Sequence, residues 1–469
     1  MRTLGFSVIR VKTGGFMTWK SLLVVIAVVA VVAGAGILAL PQSSEWTTDS
    51  SEALAEFEAA MEASQKLYHQ EARSHLERAL ELDPNFVAAK IRMADFCRYE
   101  DEDHAAQLMV EAGAADLSRL TDRERFMIQR AQLLSDLQFD EAESQMTAYL
   151  ERHPDDPYVL HIKALGTWQR GDLIEAERLN KRLLKISPNW VIAYNQLGYI
   201  TMMQGRFAEA EEYFTSYRFI APDQANPHDS LGELFIVLGR YDEARDSFEQ
   251  ALVQKPDFVA AFEHLAMVDA LKEDWDGAAL EIERAMQTEG MSDETATRFR
   301  CGIDYWHLAT DREWAEILKL AEGDCPPEKL SDIGITIHVH HAACRLDKWD
   351  TALEIENKVN ELIEKNDWKK KSNFRELLEP MVHHMTGVRL SLQEDFEGGI
   401  REMKLADENL TYINAGIGIL KLSNRLALAT ALRKAGHEAK SHALIDKVRA
   451  INPEIVGRYE ERGMMADGM

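Results

Sequence analysis

The sequence predicts an all-α solenoid of antiparallel helix pairs, with one transmembrane helix before it. Prolines recur at a step of 34 residues, at positions 154, 188, 222 and 256. Small residues keep the same step: Gly171, Gly205 and Gly239 form one series, and Ala176, Ala210, Ala244 and Ala278 form another. A fixed period of this length is typical of stacked helical repeats, and stacking is how a chain of 469 residues can form one elongated body.

The transmembrane helix is predicted over residues 21–40, which carry no charged side chain. A helix of this length spans roughly 30 Å, the thickness of a hydrocarbon core. Residues 1–20 are basic and the residues after the run are acidic, so the positive-inside rule places the N-terminus in the cytoplasm. We expect a single-pass protein of a bacterial inner membrane with its repeat domain in the periplasm.

Two other features of this region bear on its role. Ala33-Gly34-Ala35 has the form of a signal-peptide cleavage site, although the apolar run continues past it. Ala30 and Gly34 form a small-xxx-small pair through which the anchors of two chains could pack. The sequence therefore leaves open whether the protein forms a homo-oligomer. Residues 41–52 are polar and predict a linker to the repeats.

Charge and cysteine content exclude several classes of protein. A net charge of −26 argues against nucleic-acid binding, which needs basic faces to meet phosphate. The four cysteines (Cys97, Cys301, Cys325 and Cys344) contain no CxxC pair, which argues against zinc ribbons and thioredoxin-like motifs. Cys325 follows a glycine in a proline-rich loop and could be exposed. A Cys301–Cys325 disulfide is conceivable in an oxidising compartment, but we do not expect it.

One unit, residues 189–222, shows the pattern of the repeat. Residues at helical spacing come first, Gly205 breaks the run, and a second helical run ends at Pro222. Gly198 and Ala210 are small enough to let the two helices approach closely, and a glycine at the break suits a helix C-terminus. The unit is therefore predicted to be helix, turn, helix, turn.

This pattern resembles the tetratricopeptide repeat. Residues 226–256 carry nearly all of the family's marks: Leu231-Gly232, Phe235, Gly239, Tyr241, Ala244, Phe248, Ala251 and Pro256. The resemblance covers about seven units over 53–292, divergent helical hairpins over 293–421, and a C-terminal unit with its cap over 422–463, followed by a tail at 464–469. It implies a right-handed superhelix in which the first helix of each pair lines a concave groove.

The resemblance also implies which side chains point into that groove. Carried onto this sequence, they are Tyr158, His161, Trp168, Asn195, Tyr199, Met202, Asn226, Asp229, Glu233, Glu263 and His264. Asn can bond an extended peptide backbone, while Tyr, Trp and Met supply adaptable contact area. We expect a protein or peptide segment to bind here, although several of these side chains could simply pack between repeats.

The expected partner is neutral or basic. Some family members hold acidic peptide C-termini with a lysine at the fifth position of the first helix. The matching positions here hold no lysine: Phe57, Ile91, Met127, His161, Asn195, Asp229 and Glu263. The acidic residues among them favour a partner without negative charge.

A second candidate site is a group of histidines and a cysteine in the divergent region. His338 and His341 are three residues apart and His340 and Cys344 are four apart, so each pair shares a face if the stretch is helical. The next hairpin could bring His384 alongside. Imidazole and thiolate are ligands for zinc or copper, but this spacing is not a known metal signature. The weak metal candidates are His340, His341, Cys344 and His384.

These observations predict a membrane-anchored scaffold or adaptor rather than an enzyme. No phosphate-binding loop, HExxH, GxSxG or nucleophile constellation is present, and no cofactor is implied. One alternative is a regulatory or sensory module that works with a signalling protein in trans. A less favoured alternative is a metal-binding protein that uses the histidine group.

Overall fold

The computed structural model describes residues 45–97, 101–288, 291–327, 333–365 and 374–461, and over these ranges helix is the only regular secondary structure. The prediction of an all-α fold is thereby confirmed for the described residues. No helix in these ranges combines the length and the apolar character needed to cross a bilayer. The predicted anchor at 21–40, the basic segment at 1–20 and the tail at 464–469 lie outside them.

Residues 51–285 form seven helical hairpins. Their helices are α1 (Ser51–Gln65), α2 (His69–Leu82), α3 (Val87–Cys97), α4 (Glu102–Gly113), α5 (Asp122–Ser135), α6 (Phe139–Arg152), α7 (Pro157–Gln169), α8 (Leu173–Ile186), α9 (Val191–Met203), α10 (Phe207–Ile220), α11 (Asn226–Val237), α12 (Tyr241–Gln254), α13 (Val259–Leu271) and α14 (Trp275–Ala285). A short 3₁₀ turn, Leu117–Arg119, precedes α5. Each helix packs on the next one in the chain, which is the arrangement of a solenoid.

Nine further helices follow within the described ranges. They are α15 (Asp293–Thr310), α16 (Trp314–Glu322), α17 (Ile333–Arg345), α18 (Trp349–Lys365), α19 (Phe374–Leu392), α20 (Phe396–Asn409), α21 (Ala415–Lys434), α22 (Glu438–Ile451) and α23 (Pro453–Glu461). They also form successive hairpins. The first helix of the last hairpin, α21, begins at Ala415 rather than near 422, because Asn414 caps it by accepting a hydrogen bond from the backbone N–H of Ile417.

Small residues allow the two helices of a pair to lie close together. A side chain on Gly198 of α9 would place its Cβ 2.3 Å from Phe214 of α10. In the next pair, a Cβ on Gly232 would lie 2.4 Å from Phe248. The aromatic ring of each second helix therefore fills the space that glycine leaves on the first, which explains why these two residue types recur in register.

The solenoid curves until both ends of the chain touch its middle. From the N-terminal hairpin, the Tyr68 hydroxyl accepts a hydrogen bond from the backbone N–H of Ala225 at 3.2 Å, and Glu71 pairs with Lys255 at 2.6 Å. From the C-terminal end, the Asn452 amide reaches the backbone of α11. The helix pairs in the middle of the solenoid are therefore contacted by both ends of the chain.

Cys301 and Cys325 are joined by a disulfide, which the sequence analysis did not expect. α15 and α16 run antiparallel, so the loop after α16 returns beside the middle of α15. Cys325 is only 2% exposed, and its carbonyl accepts a hydrogen bond from the Tyr305 hydroxyl at 2.7 Å. The expectation of an exposed Cys325 was therefore wrong. Cys97 and Cys344 are buried and are not part of this disulfide.

Candidate functional site

The concave face of the first four hairpins is already filled by the chain itself. The non-helical residues 45–50, called here the N-terminal segment, lie against the first helices of these pairs. Trp46 is 8% exposed, and its ring meets Phe57 of α1 edge-on at 5.1 Å and Tyr158 of α7 at 5.4 Å between ring centroids. The Arg123 guanidinium of α5 lies 5.1 Å from the Trp46 ring centroid. Trp46 is thus anchored by aromatic and cation–π contacts.

Polar contacts fix the segment on either side of Trp46. The backbone N–H of Thr47 donates to Glu124 Oε1 at 2.7 Å, and its hydroxyl donates to Oε2 at 2.6 Å. Glu45 pairs with Arg123 at 2.9 Å, and Asp49 pairs with Arg119 at 2.8 Å. An apolar anchor, a backbone hydrogen bond and two ion pairs are the contacts by which a groove holds an extended peptide. We call this surface the N-terminal groove.

The central groove residues form a buried hydrogen-bond network instead of an open surface. Ser230 donates to the Asn195 side chain at 3.0 Å, and the Tyr199 hydroxyl contacts both Ser230 and the Glu233 carboxylate. Asn226 donates to the Tyr217 hydroxyl at 3.3 Å. In this conformation these polar groups are satisfied within the chain, so they do not present a free peptide-binding face.

Two carboxylates and a histidine meet at the centre of this network. His264 Nδ1 lies 2.8 Å from Asp229 Oδ1, and its Nε2 lies 3.6 Å from Glu233 Oε1. Burial lowers the pKa of His264, but the two carboxylates outweigh burial and raise it to about 10. Burial raises the pKa of Glu233. At neutral pH the imidazolium of His264 is therefore the cation that lies between Asp229 and Glu233.

The same three side chains are the group best placed for a metal ion among the described residues. Their ligand atoms lie within 4.8 Å of one another. Carboxylate oxygens with one imidazole would suit a divalent cation. The imidazole, however, must be deprotonated to bind a metal, and Asp229 and Glu233 hold His264 in its protonated form. The arrangement fits an internal ion triad better than a metal centre.

The C-terminal region closes the central groove. The first backbone N–H of α21, at Ala415, donates to Glu233 Oε1 at 3.1 Å. The Tyr412 ring meets Phe207 of α10 edge-on at 5.0 Å between ring centroids. A carboxylate beside a helix N-terminus is favourable because the first backbone N–H groups point toward it. The predicted central site is therefore covered by the chain's own C-terminal hairpin.

The remaining predicted groove residues differ in their surroundings. His161 is half-buried near Trp190, and its desolvation lowers its pKa to about 4. Trp168 donates from Nε1 to the sulfur of Met203 at 3.4 Å. Met202 is fully buried in the core, and Glu263 is exposed at the edge of a cavity. These residues pack or face solvent separately and are not brought together at one site.

The histidine and cysteine group does not converge on one point. His340 lies 2.9 Å from Glu356, and Cys344 lies 3.8 Å from His340 Nε2, but His384 Nδ1 instead faces Asn424 at 2.9 Å. No three of the metal candidates bring ligand atoms together in the described part of the chain. Burial raises the pKa of Cys344 to about 12, which disfavours the thiolate that a metal needs. The structure does not support a metal centre at these residues.

A cavity of about 650 Å³ lies in the concave face of the divergent region, between α13, α15, α17, α19 and α21. Its wall is apolar and aromatic, and includes Phe299, Ile303, Trp306, Trp314, Met381 and Leu420. His341 and His384 also line it, with their rings 5.2 Å apart. Two of the predicted metal candidates are thus cavity residues.

Neither the packing of the N-terminal segment nor the cavity was predicted from the sequence. Trp46 is a single tryptophan in an otherwise polar stretch, and this contrast was a usable signal that the stretch is anchored. Arg123 and Glu124 look like ordinary first-turn residues of α5. The cavity wall comes from helices separated by more than a hundred residues, so no local pattern indicates it.

The geometry defines a helical-repeat protein that buries segments of chain in its concave face. A model of the tetratricopeptide repeat family matches residues 230–294. Over these residues the chain carries the tetratricopeptide repeat that its residue pattern predicted. No curated protein sequence matches the chain.

Several solved structures resemble the chain in fold. The APC/C hetero-tetramer Cut9–Hcn1 is 14% identical and covers 95% of this chain and 82% of that chain, with a TM-score of 0.47. A tetratricopeptide repeat protein from Parabacteroides merdae is 15% identical, and the match covers 56% of this chain and 98% of that chain, with a TM-score of 0.39. PilF of Pseudomonas aeruginosa is 16% identical, and the match covers 46% of this chain and 94% of that chain, with a TM-score of 0.33.

Proposed function

We propose that this protein is a scaffold that binds an extended segment of a partner protein in its N-terminal groove. The observation that carries the proposal is the seating of Trp46, whose ring is held between helix pairs that are distant in sequence. The contacts around it are made by the first helices of the pairs, on the face where repeats of this family are expected to bind peptides. No catalytic activity of its own is proposed.

The preferred partner segment carries an aromatic residue with acidic neighbours. The chain's own segment pairs Glu45 with Arg123 and Asp49 with Arg119. These ion pairs favour negative charge on either side of the aromatic anchor. The acidic central residues, from which a neutral or basic partner was expected, offer no free surface, since Asp229 and Glu233 are buried and both face His264.

A competition experiment tests the groove. A labelled peptide with the sequence of residues 45–50 is titrated against the full chain and against a Trp46→Ala variant, with fluorescence anisotropy as the readout. The attached segment has a millimolar effective concentration, so we expect the wild-type chain to bind the peptide at least ~10-fold more weakly than the variant.

Two controls accompany this titration. A peptide with alanine in place of tryptophan should bind neither chain. Ile174→Ala, a change at an 81% exposed residue on α8, should behave as wild type. If a folded Trp46→Ala chain does not bind the peptide, the groove is not a segment-binding site.

The proposal places the scaffold on the outer face of a bacterial inner membrane, anchored by residues 21–40. The Cys301–Cys325 disulfide supports this placement, because such bonds persist in oxidising compartments outside the cytoplasm. A reporter active only outside the cytoplasm, fused after Met469, should be active. A fusion active only in the cytoplasm would contradict the placement.

A further inference from the structure

The cavity of the divergent region differs in charge from the rest of the molecule. The chain carries a net charge of −26. The described residues that line the cavity nevertheless include three arginines against a single carboxylate, Glu263. The arginines are Arg298, Arg312 and Arg345. A cationic lining inside an acidic protein raises the local potential where a bound anion would lie.

The rest of the wall suits an apolar body. Aromatic rings of Trp306 and Trp314 and the aliphatic side chains of Ile303, Ile417 and Leu420 face the same space. The volume, about 650 Å³, falls within the range of ~300–1,000 Å³ in which proteins hold small molecules. A mainly apolar wall with a few polar groups fixes the orientation of a ligand that has one polar end.

The histidines add a polar group without a partner inside the protein. His341 Nε2 is buried and forms no hydrogen bond. A buried polar atom left unpaired costs free energy, and a ligand that bonds it removes that cost. Burial lowers the pKa of His341 well below its usual value and lowers that of His384 to about 4. The positive charge of nearby Arg345 also contributes at His341.

We propose that this cavity binds an amphipathic carboxylate, of which a medium-chain fatty acid is the simplest form. The hydrocarbon chain lies among the tryptophan, isoleucine and leucine side chains. The carboxylate lies toward Arg298, Arg345 and His341, where the guanidinium groups and the buried Nε2 of His341 can donate hydrogen bonds to it. This site is separate from the N-terminal groove and goes beyond the proposed scaffold function.

The test is photolabelling of the full chain in nanodiscs with a diazirine derivative of dodecanoic acid. The label should fall on α15, α17 and α21, and unlabelled dodecanoate should compete with it. A diazirine derivative of dodecanol, which has the same chain without the charge, should label these helices at least ~10-fold less, as expected for loss of a charge-assisted hydrogen bond. Equal labelling by acid and alcohol would overturn the anionic class.

A cavity-filling variant separates this site from binding elsewhere. Gly302 lies on the cavity wall within α15, and a Cβ there meets nothing within 4 Å. Gly302→Leu should place its side chain in the cavity and reduce labelling at least ~10-fold, while helix content stays unchanged. Gly113→Leu, at a helical glycine equally free of contacts, is the matched control and should label as wild type.

Arginine substitutions test the head-group position. Arg298→Gln combined with Arg345→Gln should weaken labelling by the acid and leave that by the alcohol unchanged. Labelling by the acid that is the same in wild type and in folded Gly302→Leu would overturn the cavity as the site. None of these outcomes affects the peptide competition at Trp46, because the two sites share no residue.

Discussion

At the scale of single residues, one buried carboxylate joins three helices of the divergent region. Glu356 of α18 is 4% exposed and accepts two hydrogen bonds from Arg389 of α19, at 2.7 and 2.9 Å. His340 of α17 lies 2.9 Å away, and Thr386 donates at 2.9 Å. A buried carboxylate is tolerated only when its oxygens are paired with cations or hydrogen-bond donors. This explains why His340 contacts Glu356 and does not serve as a metal ligand.

Replacing this carboxylate should therefore be costly. Glu356→Gln leaves the Arg389 guanidinium buried without its counter-ion, and we expect a loss of roughly 3–5 kcal/mol in the free energy of unfolding. Glu354→Gln is the matched control: Glu354 lies on the same helix in an exposed pair with Lys358, and its loss should cost at most about 0.5 kcal/mol. Thermal unfolding followed by circular dichroism measures both.

The effect of Glu356 should depend on pH in a defined direction. Burial raises its pKa, but the hydrogen bonds from His340 and Arg389 outweigh burial and lower the pKa from 4.5 to about 2. The charged form is thus favoured in the folded chain, so its stabilisation is complete above pH 4.5 and is lost as the pH falls toward 2. The difference in melting temperature between wild type and Glu356→Gln should shrink over that window. A constant difference would contradict this assignment.

At the scale of helices and turns, the sequence predicted most of what the structure shows. Gly171, Gly205 and Gly239 were taken as the breaks between paired helices, and all three have positive φ angles, of 80°, 73° and 74°. The same turn occurs one repeat earlier at Leu137 and one repeat later at Glu273, with φ of 59° and 62°. The repeat register imposes a left-handed backbone conformation at this position even where the residue is not glycine.

The start of α21 shows where local patterns stop being informative. The resemblance to the repeat family placed the C-terminal unit at 422–463, and the first helix of that unit starts at Ala415. Its first turn is stabilised by Glu233, which is 182 residues earlier in the chain. A short stretch of sequence can at best indicate the cap at Asn414. It cannot indicate Glu233, a carboxylate that the curvature of the stack brings to the start of the helix.

At the scale of the whole molecule, curvature decides which surfaces are available. The period of 34 residues specifies a stack but does not specify that the ends of the chain return to its middle. Trp46 meets Tyr158, and Tyr68 meets Ala225, only because the stack bends. The peptide groove was predicted on the concave face of a superhelix, and the bend converts the central part of that face into a buried interface.

Asn452 offers a direct test of this closure. Its side-chain amide is fully buried and donates to the carbonyls of Ile236 and Val237, at 3.3 and 3.2 Å, where α11 ends. Its Oδ1 accepts from the backbone N–H of Ile455 at 3.0 Å and so caps α23. Asn452→Ala leaves these groups unpaired, and we expect a loss of about 1–3 kcal/mol in the free energy of local unfolding.

Hydrogen exchange should show that this loss is shared between two distant parts of the chain. If closure couples them, Asn452→Ala will accelerate amide exchange both in α22–α23 and at the end of α11, more than two hundred residues away in sequence. Asn409→Ala is the matched control, because the Asn409 side chain is exposed and donates only to Leu405 within its own helix. Faster exchange confined to α22–α23 would mean that the C-terminal hairpin packs on the middle of the solenoid without stabilising it. Faster exchange in both would identify Asn452 as a point at which the last hairpin holds the central helices in their covered state.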